Sequence, residues 1–441
     1  MNITLNQTDS TNAQLKVVLE EADYSPKVDQ QVKEFSKKAQ IKGFRPGKVP
    51  AGLVKKMYGK SILVEQINKI LQDEISKYIR ENDVKLLGEP LPEPEQEAID
   101  WDNQKTFEFT YAVGLLPDIN LPLDKSVEGY SVELDQKTMD EAYENIRRQF
   151  GKNAEPETSE QGDFISGELK QVEGEFESKT LIPTNRVVEG QEQFVGVKAG
   201  DVIRFDIRKT FGDDNAALAH VTGLSKDVVA DLNGEFEFTV EKVTRTEPAE
   251  LNQELFDKLF GKDEVKTEEE FDAKIRETIE ENYKNEAENL LNRKIIDTLV
   301  DNLEVELPTE FFKRWLTVTN EGRLTPEQIE ENFDQYVREL KWSMIKNKVV
   351  AENEDIKVSN DEVVESTKEK MLAQFNMPEI PEELVESMNN YADQYLRQDN
   401  GRNYINEYEQ LLAEKVLTKL KEQLTVVEQT ITAEDFRNLS F

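Results

Sequence analysis

From Glu247 onward the large apolar residues of this chain fall mostly three, four or seven apart, a spacing that an α-helix brings to one face. Leu255, Leu259, Phe271, Ile275, Ile279, Tyr283, Leu290, Leu291, Ile295, Ile296, Leu299 and Val300 make the first series. Pro308 opens another, carried by Phe311, Phe312, Trp315 and Leu316, then by Phe333, Tyr336, Val337, Leu340, Trp342, Met344 and Ile345. Met371, Phe375, Met377, Met388, Tyr391, Tyr395 and Leu396 continue it, and Pro378 and Pro381 break the run between two helices. Most of these side chains are core. A minority stays exposed, because long helices with acidic backs cannot bury every aromatic in a narrow bundle, and Met and flat rings accept varied apolar partners. Phe312, Trp315, Met344, Met371, Phe375, Tyr391 and Tyr395 are the candidates for that adaptable surface.

Upstream, the period changes. Residues 154–246 are strand-rich, with clear segments at Asp163–Leu169, Asp201–Ile207 and Glu235–Val240, and Gly196–Asp201 forms a turn into the middle one. Residues 1–114 read as one α+β unit in which Gln14–Glu20 and Thr106–Val113 alternate as half-buried strands and pair, with Phe107, Phe109, Tyr111 and Val113 on one face. Between those strands, Ser25 before Pro26 reads as an N-cap, followed by the stripe Val28, Val32, Phe35 and Ala39. Ser61 opens a second helix through Ile67, Ile70, Leu71, Ile75, Tyr78 and Ile79. Residues 115–153 connect the modules: Pro117 and Pro122 mark irregular chain, and Asp135–Gly151 is a helix with Met139, Tyr143, Ile146 and Phe150 facing one way. A length of 441 residues is more than one core organises, so several domains are expected.

Between the two N-terminal helices lies Gly43-Phe44-Arg45-Pro46-Gly47-Lys48-Val49-Pro50. Two glycines and two prolines in eight residues cannot continue a helix or a ladder, so this is a loop held on a two-helix mount. Its surroundings matter more than its shape. The chain has 55 Lys+Arg against 91 Asp+Glu, a formal charge of -36 that excludes general or specific DNA binding by bulk electrostatics. Yet Lys27 to Lys60 holds ten cations against two anions, Asp29 and Glu34, a local balance of +8. A basic island on an acidic protein suits contact with a phosphate-rich or acidic surface at one end only.

Other functions are excluded by what the sequence lacks. There is no Walker loop, zinc-ligand cluster, nucleophile elbow or dinucleotide fingerprint, and Glu268-Glu269-Glu270 lacks the spacing of a calcium loop, so no metal and no cofactor are implied. No run approaches the ~18 apolar residues of a membrane span, and Met1–Asn6 has no secretion signal. A Cys count of 0 fits the cytosol.

The run GFRPGKVP between two helices, followed by a middle module ending Gly234–Val243 and a long helical part, resembles the bacterial trigger factor family over the full length. The resemblance implies an elongated α+β multidomain protein: residues 1–114 a ribosome-binding α+β domain, 115–153 a linker and helix packing with the C-terminal body, 154–246 a β-rich FKBP-like domain projecting as an insertion, and 247–441 an all-α chaperone arm domain. It implies an ATP-independent, cytoplasmic chaperone that docks on the large ribosomal subunit near the exit tunnel through Gly43, Phe44, Arg45, Pro46, Gly47 and Lys48. Nascent or unfolded chains would be sheltered on the apolar surface named above, and the free protein could form a homodimer. A second reading is a prolyl isomerase, and a third is a holdase that works free of the ribosome. An FKBP site needs an apolar cup of several aromatics that desolvates an X–Pro bond. Here Phe176 and Glu177 stand where a Phe-Asp pair is usual and Phe238 where a wall Phe is expected. Leu169 replaces the first-strand aromatic, Arg186–Gln193 replaces the turn that supplies the floor aromatic, and Ala216–His220 replaces a Tyr-rich flap. The expected cup is incomplete, and His220, the only histidine, is assigned no catalytic role.

Overall fold

The computed structural model describes residues 1–439 except 40–43, 45–47, 95–98, 213–214, 231, 321 and 375–383, with the side chains of 227 and 228 also outside the description. The chain forms two compact units, one of Met1–Glu128 with Leu291–Val427, the other of Gly129–Leu290 with Glu428–Phe441.

The first unit begins with β1 (Asn2–Gln7), β2 (Asn12–Leu19), α1 (Glu21–Lys38), α2 (Ala51–Glu81), β3 (Leu86–Pro92) and β4 (Phe107–Leu115). The strands make an antiparallel sheet in the order β1-β2-β4-β3. The two alternating segments pair as their pattern requires, Leu15 opposite Tyr111, Val17 opposite Phe109 and Leu19 opposite Phe107. Those residues meet Val28 and Val32 of α1 and Ile67, Leu71 and Ile75 of α2 in one core. Both helices start earlier than the sequence reading places them. Glu20 precedes α1 and its N–H donates to the Asp23 carboxylate at 2.8 Å, so Pro26 lies inside the helix. Pro50 takes the N-cap of α2, which makes Lys55, Lys56 and Lys60 helical. Burial of Val54 and Ile62 on the face below carries the helix through Gly52 and Gly59, against the low helix propensity of glycine.

After β5 (Ser126–Glu133) come α3 (Gln136–Gln149), β6 (Lys152–Ala154), β7 (Phe164–Gln171), β8 (Glu177–Pro183), β9 (Val202–Asp206), α4 (Ile207–Phe211), α5 (Asn215–Thr222), α6 (Lys226–Val229), β10 (Glu235–Glu247) and α7 (Gln253–Phe260). The strands β6 to β10 form a sheet in the order β6-β10-β7-β8, with β9 also on β10. β10 is long enough to pair with three strands because its even-numbered residues Phe236, Phe238 and Val240 all face the core. The Asp135 carboxylate caps α3 by accepting from the Thr138 N–H at 2.8 Å, and Met139 packs with Leu255 and Phe256 of α7 and with Phe271.

The helical remainder is α8 (Glu268–Asn302), α9 (Thr309–Thr319), α10 (Pro326–Glu331), α11 (Phe333–Glu352), α12 (Asn360–Gln374) and α13 (Val385–Gln423), followed by β11 (Thr425–Thr432) and α14 (Ala433–Arg437). β11 pairs with β5, a strand the periodicity argument did not find in a segment read as helical throughout. Its β-branched run Thr425, Val426, Val427 was the available signal. α13 is also broken: Gln398 is extended, and Asp399, Asn400 and Gly401 have φ of 50°, 58° and 82°. Asp, Asn and Gly are the residue types that enter the left-handed region most readily.

The N-terminal sheet is not a separate packing body. Leu87 and Leu91 of β3 point away from α1 and α2, toward Phe311, Phe312 and Leu316 of α9. Gly114 of β4 lets α9 approach, since a Cβ there would stand 2.6 Å from Phe311 Cδ1. Residues Ile119 and Val127 pack with Ile295, Leu299 and Val300 of α8 and with Leu417 and Leu420 of α13.

Candidate functional site

The basic tip is mounted on α1 and α2, which pack through Val28, Val32, Val54 and Ile62. Gly43, Arg45, Pro46 and Gly47 lie outside the described residues, whereas Phe44 and Lys48 are described and exposed, Phe44 at 41%. Ala39 and Val49, at the two ends of the loop, are buried in the core, and the Ser36 hydroxyl donates to the Val49 carbonyl. The loop is therefore clamped where it leaves and rejoins the helices, so less ordering entropy opposes docking.

Below the tip, Phe35 and Tyr58 hold their rings 5.0 Å apart, and both are exposed, as is Met57. The sequence reading assigned Phe35 to the buried stripe and gave Tyr58 no role. Among the described residues, Lys33, Lys37, Lys38, Lys48 and Lys56 make no ion pair, while Lys55 pairs with Asp29 at 3.2 Å and Lys60 with Asp102 at 2.8 Å. Uncompensated cations around exposed apolar rings can meet a partner that offers both anionic groups and an apolar niche.

The strand-rich module contains aromatics, but they face inward. Phe238 is wholly buried, and Phe176 is half-buried, edge-on to Phe236 at 5.9 Å. Glu177 is exposed and pairs with Lys170 at 3.0 Å, which holds its carboxyl below the usual range. Phe194, directly after the degenerate turn, is a wholly buried core residue to which the sequence reading gave no role. It packs 5.2 Å from Phe205, and Phe211 completes a closed trio. Leu218 and Val221 of α5 are buried over the same core, and the Thr180 hydroxyl ties β8 to the Val221 carbonyl. The space left is a cleft of about 290 Å³ lined by Pro183, Arg186, Phe211, Ala216, Ala217, His220 and Val221. Of the aromatic trio only Phe211 borders it.

The proposed apolar surface of the C-terminal helices divides sharply. Phe312 and Met344 are buried, the first against Phe333 at 5.6 Å, and cannot meet a partner without unfolding. Trp315 is half-buried, its indole N–H without a partner and its ring over Gly88. Met371 is half-buried and Phe375 lies outside the described residues. Tyr391 and Tyr395, 62% and 41% exposed, are one helical turn apart on α13, with Val385 and Ile405 also exposed. Amphipathic spacing identified the helices but could not separate faces pressed together by tertiary packing from faces left open. Among the described residues no helix is long and apolar enough to cross a membrane, and no cluster of acidic or histidine side chains has metal-ligand geometry.

Three modules in this order define the class: an α+β domain with a clamped basic tip, an FKBP-like sheet domain, and long helices with open apolar faces. Family models match in the same order, the bacterial trigger factor protein over residues 1–146, the trigger factor FKBP-like domain over 153–248 and the trigger factor C-terminal domain over 293–440. The chain is 28% identical to a trigger factor of Allorhizobium ampelinum, covering 99% of this chain and 89% of the relative. It is 26% identical to one of Marinobacter nauticus over 89% of this chain and 91% of the relative, and 28% identical to one of Alkalilimnicola ehrlichii over 86% and 85%. A solved trigger factor chaperone, reported for promiscuous substrate recognition in folding and assembly, superposes with a TM-score of 0.48 at 19% identity, covering 96% of this chain and 100% of that one. The chain belongs to the trigger factor family and is a ribosome-associated chaperone.

Proposed function

We propose that the chain docks beside the polypeptide exit of the large ribosomal subunit through the tip Gly43–Lys48 and shelters emerging chains on the open face of α13, without nucleotide. The observation that carries this reading is the exposed Phe44 and Lys48 on a loop clamped at Ala39 and Val49, inside the +8 island of an otherwise acidic chain. Phe44 enters an apolar niche while Arg45 and Lys48 meet carboxylate or phosphate groups. Tyr391 and Tyr395 offer flat apolar area to clients of varied sequence. The work is cytoplasmic, where ribosomes are, and agrees with a chain of 0 Cys. Free of the ribosome, the basic island is complementary to the acidic surface of a second copy, so a salt-sensitive homodimer is part of the proposal.

The test is co-sedimentation with ribosomes. A buried aromatic contributes ~1.5–3 kcal/mol and each partly exposed charge-assisted contact ~1 kcal/mol. Phe44→Ala with Arg45→Ala and Lys48→Ala should therefore weaken docking by about 3–5 kcal/mol, several hundred-fold or more. The melting temperature and the suppression of client aggregation in free solution should stay at wild-type values. Pelleting of the triple variant at wild-type affinity rejects the docking assignment and favours a holdase that works free of the ribosome.

A further inference from the structure

The apolar stripe of α2 continues past the point where the core covers it. Met57 follows Leu53 by four residues and Val54 by three, and Tyr58 precedes Ile62 by four, so all five share one side of the helix. Val54 and Ile62 are buried in the N-terminal core, whereas Met57 is 53% exposed and Tyr58 surfaces against the exposed Phe35 ring. Lys55 and Lys56 precede Met57 on α2, and Lys56 makes no ion pair. Met57 stands seven residues, or ~10 Å of helix, from Pro50, where the loop rejoins α2. A partner that covers the tip and its mount therefore covers Met57.

A thioether is the group on this surface that a mild oxidant changes. With 0 Cys in the chain, no thiol competes for that oxidant. Among the described methionines Met139 and Met344 are buried and Met371 and Met388 half-buried, which leaves Met57 and Met1 as the exposed ones. Met57 alone of these two lies inside the basic island.

We infer that Met57 is a redox modification site, whose oxidation by a hydroperoxide weakens ribosome docking. The inference rests on the docking reading given above. A sulfur lone pair attacks one peroxide oxygen, and the S–O bond forms as the O–O bond breaks. Sulfur is oxidised by two electrons to the sulfoxide, the peroxide is reduced, and the departing oxygen takes the proton of the transferred hydroxyl and leaves as water. Docking must then bury a polar group where it had buried an apolar one. Folding is spared, because the side chain stands outside the core. A thiol-dependent sulfoxide reductase reverses the change, so the modification can act as a switch.

The test treats the full chain with hydrogen peroxide, maps the oxidised positions by peptide mass spectrometry and measures co-sedimentation with ribosomes. Met57 should gain an oxygen well before Met139 and Met344, and an excess of ribosomes should slow that gain. The affinity for ribosomes should fall about tenfold at an unchanged melting temperature, and methionine sulfoxide reductase with dithiothreitol should restore it. Met57→Leu, similar in volume and inert to peroxide, should dock as the untreated protein does and keep that affinity after treatment, which controls for every other thioether. Met57→Gln, unbranched and polar, should dock as weakly as the oxidised protein with no oxidant present. The inference is overturned if Met57 stays unoxidised while Met1 reacts, if oxidised wild-type protein pellets at its untreated affinity, or if Met57→Leu loses affinity to the same extent. Wild-type pelleting of the Phe44→Ala, Arg45→Ala, Lys48→Ala variant strikes the tip assignment instead, and leaves the comparison of treated and untreated Met57 proteins to be read on its own.

Discussion

Arg245 grips Asp163 with two nitrogens, Nε to Oδ1 at 2.8 Å and Nη2 to Oδ2 at 2.7 Å, around a carboxylate that is 2% exposed. The same carboxylate accepts from the Glu160 N–H at 2.7 Å, and the Asp163 carbonyl accepts from the Thr184 N–H at 2.9 Å. This pair joins the start of β7 to the far end of β10. The Arg245 guanidinium holds the Asp163 carboxyl below its ordinary value. A depressed carboxylate contributes stability above its unfolded pKa of ~3.9, and that contribution is lost as pH falls through the folded value. Arg245→Leu should cost about 3–5 kcal/mol at pH 7, because it strands a buried charge. Arg245→Lys should cost less, keeping the charge without the fork. Urea melts of the full chain at pH 7 and pH 3 check both, with the wild-type to variant gap narrowing at the lower pH.

Gly114 measures how firmly α9 is seated on the N-terminal sheet. Its missing Cβ would meet Phe311 Cδ1 at 2.6 Å and Pro308 Cγ at 2.9 Å. Gly114→Ala should destabilise by about 1–3 kcal/mol, the usual cost of overpacking a closed interface. Phe311→Ala in the same background should recover part of that loss, and thermal melts of the two single variants and the double variant give the coupling.

The middle module should not catalyse prolyl isomerisation. Phe194, Phe205 and Phe211 close on one another, and Leu218 and Val221 are buried in the same core. A Leu-Pro or Phe-Pro peptide incubated with the full chain should relax at its uncatalysed rate, over tens to hundreds of seconds at 25 °C. Turnover sensitive to Phe211→Ala would relocate the pocket to the cleft beside Arg186 and His220.

Tyr391 and Tyr395 should carry client binding without carrying stability. Both rings are exposed on α13, so Tyr391→Ser with Tyr395→Ser removes no core. Each ring that a client buries is worth up to ~1.5–3 kcal/mol, and losing both should raise the concentration needed to suppress aggregation about tenfold or more. The melting temperature should move by less than ~2 °C. Met344→Ala is the contrast: its side chain is buried, and its loss should cost about 2–5 kcal/mol of stability.

The sequence by itself determined most of the elements and the position of the basic island. Alternation at Leu15, Val17, Phe107 and Phe109 is a local property of strands, and the three-four spacing through Ile295 and Leu299 is a local property of helices, so both are written in the order of residues. The basic island between Lys27 and Lys60 is equally local, since a count of charges needs no fold. Tertiary structure alone decided which apolar faces are covered. Phe312 and Tyr391 carry the same amphipathic signature, yet the first is pressed against Phe333 and the second stands open. It likewise decided that β3 has two buried sides, that Thr425–Thr432 pairs with β5 as a strand, and that Phe194 is buried against Phe205 and Phe211. Burial depends on contacts between residues far apart in the chain, and such contacts leave no periodic trace in either partner.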